Sequence, residues 1–415
     1  MKIPPDSLNQ KPATVMHIDL NSCFATIEQQ ARRHWRGKPV GVVAYSSPKG
    51  IILAASYEAK RLGIKLGTRV YEAQAIAPNI HITETDPPKY REAHRLFKSV
   101  LEEYTDRITA KSIDEFALEL DDSLAYRSGK TMEQIGYEIK QRIHEVVGEA
   151  VFCNVGIGPN RFLAKLAAGL HKPDGLDVID AANIREIYGS LHLVDLPGIN
   201  TRYSARLKLA GINNPLDILE ATEQKLRFVF GGIVGTYWWL RIRGYEIDNM
   251  PSKQQQIGHQ YALPKPHTYP ELRAIVYKLA EKTGRRLRAS EQCAFGIHLG
   301  LRFKDYTRWH VSHRLSDALV SSHDIYVAVM RLLENEAPEG RGKVTLLDLG
   351  VASLLPLRPE QLSFFADGRA VSAQRILADA LDEVNNRYGE YTLQPATMLG
   401  TEKDAKDAIS FGNLR

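Results

Sequence analysis

The residues of this 415-residue chain best placed to do chemistry are carboxylates set into apolar, strand-forming runs. One run carries His17, Ile18, Asp19 and Leu20 and leads through Asn21, Ser22, Cys23 and Phe24 to Glu28; the other is Lys111, Ser112, Ile113, Asp114, Glu115 and Phe116. Strand interiors seldom hold an acid without a partner, because burying an unpaired charge is costly. Brought together, Asp19, Asp114 and Glu115 would form a hard-oxygen cage suited to Mg²⁺. A cage of that kind holds two metals that clamp the attacking and leaving oxygens of a phosphoryl transfer. Each segment also has a plainer reading: Asp19 as cap of a helix starting near Ser22, and Asp114–Glu115 as a hairpin turn.

The surrounding pattern supplies elements to position these acids. Val15 to Asp19 reads as a buried strand and Ser22 to Arg33 as a helix directly after it. Pro39 to Ala44 and Gly50 to Ala55 read as short strands around the turn-rich Tyr45–Lys49. Pro87 and Pro88 punctuate the chain before an amphipathic helix from Tyr90 to Tyr104, and Ile108 to Glu119 contains the second acidic elbow. A helix from Met132 to Val147 follows. The alternation predicts an α+β fold with a helix-backed antiparallel sheet.

From Ile184 to Leu219 the pattern is helical. It contains two apolar-Gly-apolar units, around Gly198 and Asn200 and around Gly211, with Arg202 between them. Such a pair reads either as a helix-hairpin-helix presenting backbone N–H groups to a phosphate or as an ordinary αα-hairpin with a Gly cap. Residues 249–256 are polar and read as a linker. Beyond them the order is strand Ile257–Ala262, basic helix Pro270–Ala289, strand Ala294–Phe303, helix Asp324–Asn335 and strand Val344–Leu349, which fits a β-α-β-β-α-β module with its third strand unmarked.

Bulk properties agree without deciding the matter. At 44% hydrophobic the chain supports more than one core. The net charge of +5 is mildly basic, but Lys and Arg cluster at 202–208, 241–243, 278–288 and 302–314, which together favour a polyanion-gripping surface. The three cysteines, Cys23, Cys153 and Cys293, are too scattered for a zinc site or a disulfide framework and suit a reducing cytoplasm. Met1 to Thr14 lacks the apolar core of a secretory signal, and no apolar run approaches the ~20 residues of a membrane span. A cytoplasmic protein with no membrane partner is expected.

The two acidic segments resemble the signatures of the Y-family DNA polymerases, the translesion enzymes. Further blocks match in order: Tyr57-Glu58-Ala59-Lys60 with Leu62-Gly63-Ile64, then Gly156 to Lys165, then His171-Lys172-Pro173-Asp174-Gly175. The resemblance spans most of the chain and carries features of both the polymerase IV and polymerase V groups. It implies a right-hand polymerase with palm (13–23 and 86–178), fingers (24–85), helical thumb (179–248), linker (249–256), a C-terminal little finger domain (257–355) and a tail (356–415). It implies primer-template DNA and deoxynucleoside triphosphates as partners, a monomeric state, and two Mg²⁺ per active site, with Mn²⁺ as a substitute.

Carried over residue by residue, the resemblance makes Asp19, Asp114 and Glu115 the catalytic metal ligands, joined by the Leu20 carbonyl. Phe24 becomes the steric gate, whose ring leaves no room for a 2′-hydroxyl, with Cys23 beside the sugar and base. Tyr57, Lys60 and Lys165 bind the triphosphate. Gly198, Asn200, Arg202 and Gly211 contact DNA. The chain departs from the common pattern at Lys60, where many relatives carry Arg and its bidentate fork, at Ala54, where several have a hydroxyl, and at Asn21, which replaces a second Asp. Leu53 lies where small residues often roof the nascent base pair, so a larger side chain there would narrow the set of bulky lesions accepted. Gly156-Ile157-Gly158 is too short for a dinucleotide fingerprint and falls on the palm strand leading to Lys165.

Gln361-Leu362-Ser363-Phe364-Phe365 resembles the peptide by which bacterial replication proteins dock on the sliding clamp. A helix is expected from Ser372 to Arg387, then a mobile polar end from Thr401. Two other functions compete with the polymerase. A non-catalytic family member acting as a DNA- and clamp-binding adaptor would typically have lost the carboxylates that this chain keeps. A palm-fold nucleotide cyclase would have no use for the hairpin and the basic C-terminal module.

Overall fold

The computed structural model describes residues 8–249, 255–338, 340, 342–357 and 368–407, with the side chains of 368–375 excepted. The chain divides into two compact units, with the break between Met250 and Pro251, inside the segment expected to be a linker. The clamp-like peptide Gln361–Phe365 lies outside the described residues.

The first unit opens with β1 (Val15–Leu20) and α1 (Cys23–Ala31), then β2 (Val40–Val43), β3 (Ile52–Ala55), α2 (Tyr57–Arg61), α3 (Val70–Ile76) and β4 (His81–Glu84). It continues with α4 (Pro87–Glu102), the hairpin β5 (Ile108–Ala110) and β6 (Glu115–Glu119), α5 (Leu124–Arg127), α6 (Met132–Val146), β7 (Cys153–Gly158), α7 (Arg161–Leu170) and β8 (Leu176–Val178). Five helices complete it: α8 (Ile184–Ser190), α9 (Thr201–Leu209), α10 (Pro215–Glu220), α11 (Glu223–Phe230) and α12 (Ile233–Arg241).

The main sheet runs β5-β6-β1-β7-β8, antiparallel apart from the β7–β8 pair. Because β1 is central, its apolar residues have no exposed edge. Met16, Ile18 and Leu20 point one way into a core shared with Tyr90, Phe97 and Val100 of α4 and Ile135 and Ile139 of α6. His17 and Asp19 necessarily point the other way. On that face α7 seats closely on β7: a side chain at Gly156 would collide with the Ala164 carbonyl and the Ala168 amide. A second sheet, β3-β2-β4, has its own small core around Val43, Ile52 and Ile64.

Helix α4 begins at Pro87, earlier than the expected Tyr90. Asp86 caps it by accepting from the Lys89 N–H, and both prolines occupy the first turn, where their missing N–H groups cost nothing. The helical stretch extends past Leu219 to Arg241, burying Tyr188, Leu207, Trp238 and Trp239 in a separate core.

The second unit contains β9 (Gln256–His267), α13 (Tyr269–Ala289), β10 (Gln292–Phe303), β11 (Arg308–Leu319), α14 (Ser322–Asn335), β12 (Val344–Pro356) and α15 (Gly368–Tyr388). This is the expected β-α-β-β-α-β order, with sheet order β11-β10-β12-β9 and α13 and α14 packed over one face. The strands run longer than their apolar pattern implied, and β11 was hidden in it. An edge strand in which Arg308, His310, Ser312, His313 and Arg314 are all exposed reads as a polar segment.

Two expectations fail here. Thr401–Asp407, expected to be mobile, packs on α13: Ala405 is buried, the Thr401 carbonyl accepts from Lys278 Nζ at 2.5 Å, and the Lys406 carbonyl accepts from Lys282 at 3.1 Å. The basic run of α13 is therefore engaged within the unit, with Arg288 also gripping Asp382 at 2.7 and 3.0 Å. The run at 241–243 likewise turns inward. Arg243 is buried and donates to the carbonyls of Leu219, Ala221 and Trp239.

Candidate active site

Antiparallel pairing sets Asp19 of β1 directly opposite Glu115 of β6, so their side chains share a face. The Leu20 N–H donates to the Asp114 carbonyl at 2.9 Å, which draws the end of the hairpin against the end of β1. Asp114 lies in the turn of the β5–β6 hairpin, and that turn brings it to the end of β1 beside Asp19. Asp19, Asp114 and Glu115 line one cavity of about 290 Å³ together with Leu20, Cys23, Phe24, Tyr57, Lys60 and Lys172. A larger cavity of about 610 Å³ adjoins Asp114 and Glu115 and is bordered by Lys111, Arg161, Lys165 and Arg241.

The acids are close enough to repel one another and are matched by ammonium groups. Lys172 pairs with Asp19, and Lys165 Nζ donates to Glu115 Oε2 at 2.6 Å. Asp114 Oδ1 accepts from Ser112 Oγ at 2.5 Å. Burial pushes the Asp19 carboxyl above its ordinary range against the pull of Lys172, with Glu115 and Asp114 adding to the rise. Asp114 is raised by burial too, opposed by the Ser112 bond. Burial acts on Glu115 in the same sense, but Lys165 outweighs it and its carboxyl falls below the ordinary range. His17 sits 3.8 Å from Glu115; burial, reinforced by three lysines and only partly offset by Glu115, lowers it to about 3 and keeps it neutral.

The donor set suits a hard divalent cation, being three carboxylates whose mutual repulsion a cation would relieve. They do not form the converged cage that their sequence positions suggested. Among the described residues no group of three or more His, Cys, Asp or Glu side chains is arranged to hold a metal ion. Here each acid is turned to its own partner, Lys172, Ser112 or Lys165.

Phe24 lies on the first turn of α1, lines the cavity and stacks on Tyr90 with centroids 4.4 Å apart and planes 11° from parallel. The neighbouring Cys23 thiol is fully buried and kept protonated by burial, Asp114 and Asp19. Tyr57 and Lys60 project from α2, which Ser56 caps. Lys60 Nζ donates to Ser22 Oγ at 2.7 Å and lies 4.5 Å from the Tyr57 ring centre.

Sequence reasoning passed over two residues here. Ser22 adopts a left-handed φ of 50° at the strand-to-helix elbow, a strained conformation for a non-Gly residue, and offers its hydroxyl to both Lys60 and Tyr57. Lys172 was legible only as part of a motif. Its loop is held by a buried amide relay: Asn21 donates to Asn154 at 2.9 Å and accepts from the Asp174 N–H at 2.8 Å, while Asn154 donates to the His171 carbonyl at 3.0 Å.

In the helical region Gly198 (φ 94°) and Gly211 (φ 72°) both need left-handed turns. Asn200 caps α9 by accepting from the Tyr203 N–H at 2.9 Å, and Arg202 is exposed on its first turn. In the second unit, the sheet face away from the helices carries Gly258, Gly300 and Gly350 beside His298, Arg302 and His310.

The fold and this carboxylate-lysine cleft define a class. A solved Y-family DNA polymerase chimera combining Dbh and Dpo4 superposes with a TM-score of 0.72 at 24% identity, covering 82% of this chain and 99% of that one. An insertion ternary complex of Dbh DNA polymerase gives 0.57 at 24%, covering 81% and 98%. The fold is thus the Y-family one of palm, fingers, thumb and little finger.

The impB/mucB/samB family profile matches residues 18–169, and its C-terminal domain matches residues 254–364. Two proteins named DNA polymerase IV are similar over nearly their whole length. That of Pelotomaculum thermopropionicum is 30% identical, covering 93% of this chain and 95% of its own, and that of Moorella thermoacetica is 32% identical, covering 93% and 96%. The chain belongs to the impB/mucB/samB family, the Y-family of translesion DNA polymerases, which are DNA-directed DNA polymerases generally dependent on divalent metal ions.

Proposed function

We propose that this protein adds deoxynucleotides to a primer 3′-hydroxyl opposite damaged as well as intact template bases, using Asp19, Asp114 and Glu115 as its metal ligands. The observation that carries this reading is the Asp19–Glu115 register pair, with Asp114 alongside and Lys60, Lys165 and Lys172 around it. Two Mg²⁺ ions, or Mn²⁺ in their place, would acidify the primer hydroxyl and neutralise the triphosphate when bound there.

The remaining work falls to the protein. Lys165 and Lys172 balance the carboxylates and are free to turn to phosphate oxygens once cations take over that role. Tyr57 and Lys60, held by Ser22, present a hydroxyl and an ammonium to the triphosphate, contacts that strengthen as its charge grows. Phe24 closes the sugar side of the cavity and excludes a 2′-hydroxyl, with Cys23 beside the sugar and base. Leu53 forms part of the wall against which the nascent base pair would lie.

For DNA, we assign the palm, fingers, thumb and little finger to the ranges read from the sequence. The thumb contact uses the turns at Gly198 and Gly211 with Arg202, while Asn200 acts by shaping the start of α9. The glycine-rich sheet face of the second unit, with Arg302 and Arg308, is the little finger contact, where small residues allow a phosphate backbone to approach. Gln361–Phe365 is proposed as the sliding-clamp contact from its sequence alone. We infer a monomer in the cytoplasm, a reducing compartment that suits three free, buried cysteines. Among the described residues no helix is long and apolar enough to cross a membrane.

The test is primer extension with Mg²⁺ on undamaged and abasic templates. Native protein is expected to extend both, and Asp114→Ala to lose on the order of 10³-fold or more in rate while still binding DNA. Failure of native protein to extend, with or without the clamp, would favour the adaptor function.

A further inference from the structure

Glu28 is wholly buried, yet it lies outside the catalytic cleft and no step of the reaction uses it. It sits one helical turn after Phe24 on α1, so both side chains face α4. There its carboxylate accepts from the Tyr90 hydroxyl at 2.9 Å, from Lys89 Nζ at 3.0 Å to each oxygen, and from Arg32. The same Tyr90 ring forms the flat support on which Phe24 stacks at 4.4 Å. Tyr90 is itself fully buried, and burial together with Glu28 holds its phenol well above the ordinary range, so it remains a hydrogen-bond donor.

We propose that Glu28 and Tyr90 are positioning residues for sugar discrimination: the buried carboxylate fixes the Tyr90 ring, and that ring fixes Phe24 against the position of the sugar C2′. The inference rests on reading Phe24 as the sugar gate. Exclusion of a single hydroxyl depends on ring placement to within roughly 0.5–1 Å. A stacked aromatic held only by apolar neighbours can tilt by that much. One whose supporting ring is hydrogen-bonded to a fixed, doubly salt-bridged carboxylate has far less freedom.

The experiment is single-nucleotide insertion with matched deoxyribo- and ribonucleoside triphosphates, comparing native protein with Phe24→Ala, Tyr90→Phe and Glu28→Gln. Tyr90→Phe keeps the stacked ring and removes only the hydroxyl. It is expected to lower the deoxyribo/ribo ratio of kcat/KM by about tenfold, through a rise in the ribonucleotide value. Glu28→Gln is expected to follow it, and Phe24→Ala to exceed both. A purely structural role would instead depress both substrates together and lower Tm, leaving the ratio native. Native discrimination in folded Tyr90→Phe and Glu28→Gln, with discrimination lost in Phe24→Ala, overturns the positioning role alone. Native discrimination in Phe24→Ala removes the gate and this inference with it.

Discussion

Asp19 and Glu28 stand on consecutive elements of one strand-helix unit, and their surroundings are opposite. Glu28 is sealed from solvent and saturated, with two cations and a hydroxyl on its two oxygens. Asp19 opens onto a cavity shared with two further carboxylates and is paired with a single ammonium, that of Lys172, and its proton affinity is raised by burial and by the neighbouring acids. A carboxylate that holds structure together is supplied with more positive partners than it needs. Asp19 and Asp114 stand in a crowd of like charge that Lys172 and Ser112 offset only in part, the setting expected of carboxylates kept for a ligand.

That contrast can be broken by exchange of penalties. The largest expected effect is the loss of primer extension in Asp114→Ala, which should leave urea unfolding close to native. Glu28→Ala should do the reverse and cost stability first. We expect about 2–3 kcal/mol from the shift in urea midpoint, below the ~3–5 kcal/mol of a fully buried pair, because Lys89 and Arg32 are partly exposed and can turn to water. If the two substitutions had similar effects on unfolding, the distinction would fail.

Replacement of the cleft cations comes next. Lys172→Ala and Lys165→Ala are each expected to raise the KM for deoxynucleotide by about tenfold, as loss of a charge-assisted contact would. Steady-state insertion kinetics at fixed primer-template would read it. An unchanged KM would leave these lysines as counter-charges only.

A smaller effect sharpens the comparison through pH. The raised values of Asp19 and Asp114 mean that the folded protein binds protons more readily than the unfolded chain between the ordinary aspartate value and the raised one. Their contribution to stability therefore falls as pH rises through that window. Asp114→Asn removes this liability and should stabilise by on the order of 0.5–1 kcal/mol at neutral pH while abolishing extension, a common exchange at functional sites. Thermal unfolding of the two proteins at neutral and acidic pH would show the gain shrinking as pH falls. The smallest effect concerns lesion range. Leu53→Ala should improve bypass of a bulky adduct severalfold without altering synthesis on undamaged template, and equal bypass would end that idea.

Much of this was legible in the order of residues. Apolar runs interrupted by Asp19 and by Asp114–Glu115 marked the two strands whose pairing makes the cleft, and the helix expected from Met132 begins there. Charge runs were less faithful. Clusters at 241–243 and 278–288 looked like polyanion surfaces but are largely spent on carbonyls and carboxylates of their own unit. Sequence reports the presence of a charge and is silent about its partner when that partner is a hundred residues away.

The sequence by itself determined which groups the protein has for chemistry and the local elements that carry them, because strand alternation, helix periodicity and capping act over a few residues. Only the tertiary structure decided which groups meet. It brought Lys172 to Asp19 through the Asn21–Asn154 relay, gave Ser22 its left-handed turn beneath Lys60, laid Tyr90 under Phe24 and returned Thr401 to Lys278. Those contacts depend on how sheets and helices pack around a shared core, and the burial that packing creates sets the charge state of each acid it encloses.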